Sequence, residues 1–252
     1  MTSNQPASHH LRALNLIMAV LHAAQATAVL ALANSFALPV TATFLQGPPG
    51  IDEPQLSTWF HLNLAHGVAA FLILSAAAHL LISAPRIHPW YLRNLAAGRN
   101  YARWIEYSLS ASLMIVLIAM LSGIGDIAAL IALFGVNAAM ILFGLLMEHY
   151  ERPGDANWLP FWLGSLAGLV PWIAIGIYFI SPGTEATPPG FVLAIYISLF
   201  LFFNSFALNM ALQYARIGPW RSYLYGERAY ILLSLTAKSV LAWQVFAGAL
   251  AA

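Results

Sequence analysis

The 252-residue chain contains no cysteine. That excludes a disulfide frame and a thiolate metal site. Charge is scarce as well: only 8% of the residues are Asp, Glu, Lys or Arg, where a soluble domain carries roughly 25%. A chain so poor in charge cannot cover itself with a water-facing surface. Its net charge of +1 offers no basic face to a nucleic acid. The opening MTSNQPASHH has no charged stretch ahead of a cleavage site, so no removable signal peptide is expected. Lysine occurs once, at Lys238. Internal repeats are lacking too.

What the chain has instead is apolar length. Hydrophobic residues make up 61% of it, gathered into runs of the roughly 20 residues that a membrane-crossing helix needs. Seven spans are predicted: Leu11–Ala33, Leu56–Ser83, Tyr101–Leu121, Ile127–Met147, Trp158–Ile180, Phe191–Tyr214 and Leu224–Ala249. Pro and Gly punctuate the breaks at Gln46–Gly50, Pro85, Pro153-Gly154, Ser181-Pro182-Gly183 and Gly218-Pro219. Pro171 lies inside the fifth span, where a bend is expected. An odd number of spans argues against a simple duplicated transporter. The expected fold is an all-α membrane protein, a single seven-transmembrane-helix bundle over residues 1–252.

All nine arginines fall on one side of these spans, and the other side has neither arginine nor lysine. By the positive-inside rule the N-terminus is cytoplasmic and the C-terminus extracellular, in a multi-pass protein of the cell membrane. The longest outer connection, Asn34 to Pro54, contains FALPVTATFL ahead of a Gly-Pro turn. It reads as a short β-hairpin or as an irregular loop.

Lys238 sits ten residues beyond Arg228, about 15 Å along a helix and so near mid-membrane. A charge there costs at least about 2.5–3.5 kcal/mol on insertion scales. Arginine serves as well as lysine at an interface, so the distinguishing property is the primary amine, which can attack a carbonyl and form a Schiff base. The competing reading is a structural ion pair with a buried acid. Of the acids, Asp52, Glu53, Asp126, Glu148, Glu151, Asp155, Glu185 and Glu227 read as loop or span-end residues. Only Glu106 lies deep in a span, seven residues past Arg99, about 10 Å in. Lysine leans back toward the start of its helix, which draws its amine to the depth of Glu106. Ser234 and Ser110 each lie one turn away from the pair, placed to donate into it or to bond their own backbone.

His22, His61, His66 and His79 fall in the first two predicted spans. Histidines on neighbouring helices suit a haem or a metal, but the five-residue step from His61 to His66 puts them on different faces. Packing or interfacial roles are the bland alternative. His22 and His79 approach the cytoplasmic side of the Glu106 region and are site candidates. Trp162, Phe206 and Trp243 supply flat rings inside the last three spans, suited to packing or to the wall of an apolar pocket.

The segments ARWIEYSLSASLMIVLIAM, IALFGVNAAMILFG, SLFLFFNSFALN, ERAYILLSLTAKSVLAWQVF and LALANSFALPVTATFLQGPPG closely resemble heliorhodopsins. The likeness extends over nearly all seven spans, and the inside N-terminus agrees with the inverted topology of that family. The resemblance implies all-trans retinal joined to Lys238 as a Schiff base, with Glu106 as its counterion. It implies a polar cavity at His22 and His79, Ser234 beside the Schiff base, and pocket positions at Trp162, Phe206, Met140 and Asn137. It also implies a homodimer in the lipid bilayer, a slow photocycle from all-trans to 13-cis, and a light sensor rather than an enzyme, acting on a signalling partner that the family does not name. A light-driven or light-gated ion transporter is the alternative, and a haem or metal enzyme using the histidines a more distant one.

Overall fold

Short polar caps and Pro/Gly breaks set the ends of the elements in the computed structural model, which describes residues 5–180 and 188–251. In chain order these are α1 (Gln5–Leu32), β1 (Ala37–Phe44), β2 (Gln55–Asn63), α2 (Leu64–Ser83), α3 (His88–Ala96), α4 (Tyr101–Leu121), α5 (Ile127–Tyr150), α6 (Leu159–Ile180), α7 (Gly190–Tyr214) and α8 (Tyr223–Val245). A 3-10 turn, Gly218–Arg221, precedes α8, and a π-helical turn, Phe246–Leu250, extends it. Asn63, Asn100 and Asp126 each accept a hydrogen bond from the backbone N–H three residues on, and so start α2, α4 and α5. α6 continues through Pro171. The Ser181-Pro182-Gly183 break and Glu185 lie outside the described residues.

Seven of these helices are long and apolar enough to cross a membrane. α1 packs on α2 and α8, α2 on α4, α4 on α5, α5 on α6, α6 on α7 and α7 on α8, which closes a ring. Large side chains such as Val20, Ile131, Leu166, Ile173, Leu201 and Leu232 point outward and stay exposed, as a lipid-facing surface requires. All nine arginines gather at one end of the bundle, where α1, α4 and α8 begin and α2, α5 and α7 finish. The opposite end carries the β-hairpin.

The second predicted span needs correction. Leu56–Asn63 is not helical but forms most of β2, paired antiparallel with β1 from Ala37↔Asn63 to Phe44↔Gln55. The stretch QLSTWFHLN is rich in β-formers, and the Asn63 cap starts the helix only at Leu64. Of the two readings of the outer loop, the hairpin is the one formed. It is anchored by Thr41 N–H donating to Gly125 O at 2.8 Å, while Val40 and Ala42 bury against the bundle. The register shifts by one residue between Val40 and Thr41. The chain thus has a small sheet beside its helices.

The main core occupies the hairpin half: Leu64, Phe71 and Leu72 of α2, Ile115, Leu117 and Ile118 of α4, Ile195 and Leu199 of α7, and Leu241 of α8. A second cluster, Trp104, Ile141, Met147, Met210, Tyr214 and Tyr230, fills the arginine half. α3, which sequence patterning does not predict, caps that end by burying Tyr91 and Leu95 against Leu11 and Ile82.

Candidate functional site

Lys238 and Glu106 meet between the two clusters. Lys238 is buried in α8, and its Nζ donates to Glu106 Oε1 of α4 at 2.7 Å. Ser75 of α2 joins them: its Oγ accepts from Lys238 Nζ at 2.5 Å and donates to Glu106 Oε1 at 2.6 Å. The Tyr107 ring lies 5.1 Å from the amine, and its hydroxyl donates to Tyr230 O at 2.9 Å. A buried pair of this kind holds only when its remaining valences are filled, and Ser75 fills one on each partner. Sequence reasoning missed Ser75. The signal was present, because Ser75 stands one helical turn before His79 and so on the same face of α2.

Ser110 and Ser234 are both buried at the site. Ser110 lies against Glu106, one of the placements expected for it. Ser234 lines a cavity beside Tyr107.

That cavity begins at Lys238 and is walled almost wholly by apolar side chains. Tyr107, Ala111 and Met114 of α4 line it, with Met140 and Ile141 of α5, Phe161 of α6, and Phe203 and Phe206 of α7. Two glycines fix where the walls stand. A Cβ on Gly144 would lie 2.5 Å from the Trp104 ring, and one on Gly164 would lie 3.1 Å from Phe143 Cβ. A single amine at the end of an aromatic, otherwise apolar chamber fits a conjugated aldehyde such as retinal.

Of the pocket positions implied by the resemblance, Met140, Phe206 and Ser234 line the chamber. Two do not. Trp162 is 64% exposed on the outer face of α6, and its neighbour Phe161 turns inward instead, since adjacent helical residues point about 100° apart. Asn137 is buried but bonds Ser112 Oγ at 3.0 Å, tying α5 to α4. Trp243 is also outward, donating to Gln25 Oε1 at 3.1 Å.

His22 and His79 stack at 5.9 Å between ring centroids, 12° from parallel. His79 Nδ1 lies 2.7 Å from Asn15 Oδ1. The Asn15 amide nitrogen is committed to Leu11 O at 2.8 Å, so its oxygen faces the ring. His79 Nδ1 therefore carries a proton, and Nε2 of the neutral ring is an acceptor. His79 and Glu106 share a second, smaller polar cavity with Asn15, Tyr91, Asn100 and Glu227. His61 and His66 are exposed at the hairpin end, away from both cavities.

A further charged group, Arg103 with Glu148 and Glu227, is buried. Arg103 donates through Nη2 to Glu148 Oε1 at 2.5 Å and through Nη1 to Glu227 Oε2. Its guanidinium stacks 4.0 Å from the Tyr230 ring centroid. Glu148 and Glu227 stand at span ends, as expected, yet both are buried, Glu227 beside Tyr91 of α3 and Glu148 among Asn100, Trp104 and Tyr223.

The sequence model of the family described as Heliorhodopsin matches residues 11–250. Among solved structures, the "light-driven proton pump LR (Mac) from Leptosphaeria maculans" superposes with a TM-score of 0.64 at 14% identity, covering 94% of each chain. At that identity the likeness is one of fold. No curated protein matches the chain.

Proposed function

The chain belongs to the heliorhodopsin family of retinal-binding rhodopsins, and from that premise we propose that it is a light receptor carrying all-trans retinal on Lys238 as a Schiff base. The observation that carries this reading is the Lys238 amine, 2.7 Å from the Glu106 carboxylate at the mouth of an apolar aromatic chamber. Bound there, retinal supplies absorption of visible light and a change of shape from all-trans to 13-cis.

The chain's own residues do the rest. Lys238 anchors, and Glu106 offsets positive charge at Nζ. Ser75 holds the two in register. Met140, Phe161 and Phe206 keep water from the chamber. His79 Nε2 stands ready to accept a proton in the polar cavity beside Glu106, with His22 stacked behind it. These titratable groups all lie from Lys238 toward the arginine end. Toward the hairpin end the polar pairs among the described residues include Ser112–Asn137 and Ser198–Gln244, neither titratable, and His61 and His66 lie exposed beyond them. A proton displaced from the site returns by the side on which it left, which resets a sensor and moves no net charge. A slow photocycle is part of this reading.

The arginine end is assigned to the cytoplasm by the positive-inside rule, and the receptor acts as a homodimer on a separate signalling partner, without enzymatic activity. Ion transport is the second reading, since the solved neighbour is described as a light-driven proton pump. Light-induced pH change in vesicles separates the two. A sensor gives no sustained change, whereas a sustained protonophore-sensitive change, absent in Lys238→Ala, would establish transport.

A further inference from the structure

Two buried carboxylates share the one guanidinium of Arg103, while Lys238 is already matched by Glu106. Fully ionised, the Arg103–Glu148–Glu227 cluster would hold one uncompensated negative charge away from water. Such a charge is costly, and a single bound proton removes it.

The donors around each acid decide where that proton sits. Glu148 is saturated. Its Oε1 accepts from Arg103 Nη2 at 2.5 Å and Tyr223 Oη at 2.9 Å, and its Oε2 from Asn100 N at 2.7 Å and Trp104 Nε1 at 2.6 Å. The guanidinium, backbone and indole N–H groups cannot turn round to accept, so a proton on Oε2 would face only donors, and one on Oε1, where the Tyr223 hydroxyl alone could turn round, would put an acid O–H on the oxygen that already meets the Arg103 guanidinium. Glu227 is less crowded. Its Oε2 meets Arg103 Nη1, and its Oε1 accepts from Asn100 Nδ2 at 2.6 Å, with Tyr91 Oη farther off at 3.4 Å. A hydroxyl can accept as readily as donate. Burial pushes the Tyr91 phenol up from its ordinary value, so it stays a hydroxyl.

The groups facing Glu227 are thus Tyr91 of α3, Arg103 and Tyr107 of α4, the Asn100 cap, Glu148 of α5, and Tyr223 and Tyr230 of α8. Glu227 also lines the polar cavity that contains Glu106 and His79, whereas Glu148 does not.

We infer that Glu227 is the protonated member of the cluster at neutral pH, its acid proton directed at Tyr91 Oη, and that it is the site where the polar cavity leading to Glu106 exchanges protons with the arginine end. Loss of that proton to the cavity leaves Glu227 a carboxylate still held by Arg103, and its return restores the neutral cluster. The inference does not depend on retinal, so apoprotein and pigment should behave alike.

The test is infrared spectroscopy of the protein in lipid nanodiscs at neutral pH, with and without retinal. A carbonyl stretch of a protonated carboxylic acid that shifts in deuterated water is expected. It should persist in Glu106→Gln and vanish in Glu227→Gln, whose amide mimics the acid and should leave the melting temperature near that of the parent. Absence of the band in the parent, or its survival in Glu227→Gln, would overturn the inference. Should Glu227→Gln not fold, carbon-13 labelling of glutamate in the unmodified chain decides. The acid carbon is expected to correlate with Tyr91 and Asn100, and a correlation with the Trp104 indole would move the proton to Glu148 and overturn it.

Discussion

Lys238 Nζ and Glu106 Oε1 stand 2.7 Å apart although 132 residues separate them in the chain. α8 and α4 both start at the arginine end, so both side chains lean the same way and reach one depth. Ser75 bridges them from α2, and three helices are thereby tied at one point.

Lys238→Arg keeps a cation opposite Glu106 but has no amine able to condense with an aldehyde. It should yield folded protein without visible pigment when retinal is added. Lys238→Ala should also lack pigment and should melt lower, because removing one member of a buried pair strands the other at a cost of about 3–5 kcal/mol. Thermal melts in detergent and absorption spectra read the two effects separately.

Glu106→Gln removes the negative charge beside the nitrogen that carries retinal. A nearby carboxylate favours the cationic form. The variant is therefore expected to give either a red-shifted visible band or an ultraviolet band from the uncharged form. Absorption spectra across pH check this, and an unchanged spectrum and titration would remove Glu106 from the role.

Phe161 and Trp162 are neighbours with opposite orientations, so they make a paired test. Phe161→Ala opens the chamber wall. Loss of even about 1.4 kcal/mol of contact weakens retinal uptake tenfold. Trp162→Ala removes an outward ring and should leave uptake unchanged. Titration of each apoprotein with retinal distinguishes them, and the reverse order of effects would restore Trp162 as a pocket residue.

Much of this was legible in the sequence because the membrane restricts the choices. Six of the seven spans follow from apolar length alone, and a lone mid-span lysine with one deep acid marks the pair. The failures have physical causes. Leu56–Asn63 is apolar enough to extend a span, but its β-forming residues and the Asn63 cap turn it into a strand. Glu148 and Glu227 look like span-end charges because hydropathy cannot see Tyr91, Trp104 and Tyr223 closing around them. Trp162 and Phe161 differ by one position, and composition does not say which faces inward. Ser75 was hidden among small residues, although its step to His79 placed it on the site's face.

Topology can be read directly in cells. With the arginine end in the cytoplasm, an N-terminal tag should be protected from external protease and a C-terminal tag cleaved. The opposite pattern would reverse the orientation assigned to the arginine end.

The most direct measurement is hydride reduction of the retinal-loaded protein, followed by peptide mapping of the adduct. Reduction converts the labile linkage to a stable secondary amine at whichever nitrogen holds the chromophore. The expected result is a single retinyl adduct on the peptide containing Lys238, absent from Lys238→Arg. An adduct elsewhere, or a visible pigment that forms without Lys238, would contradict the account.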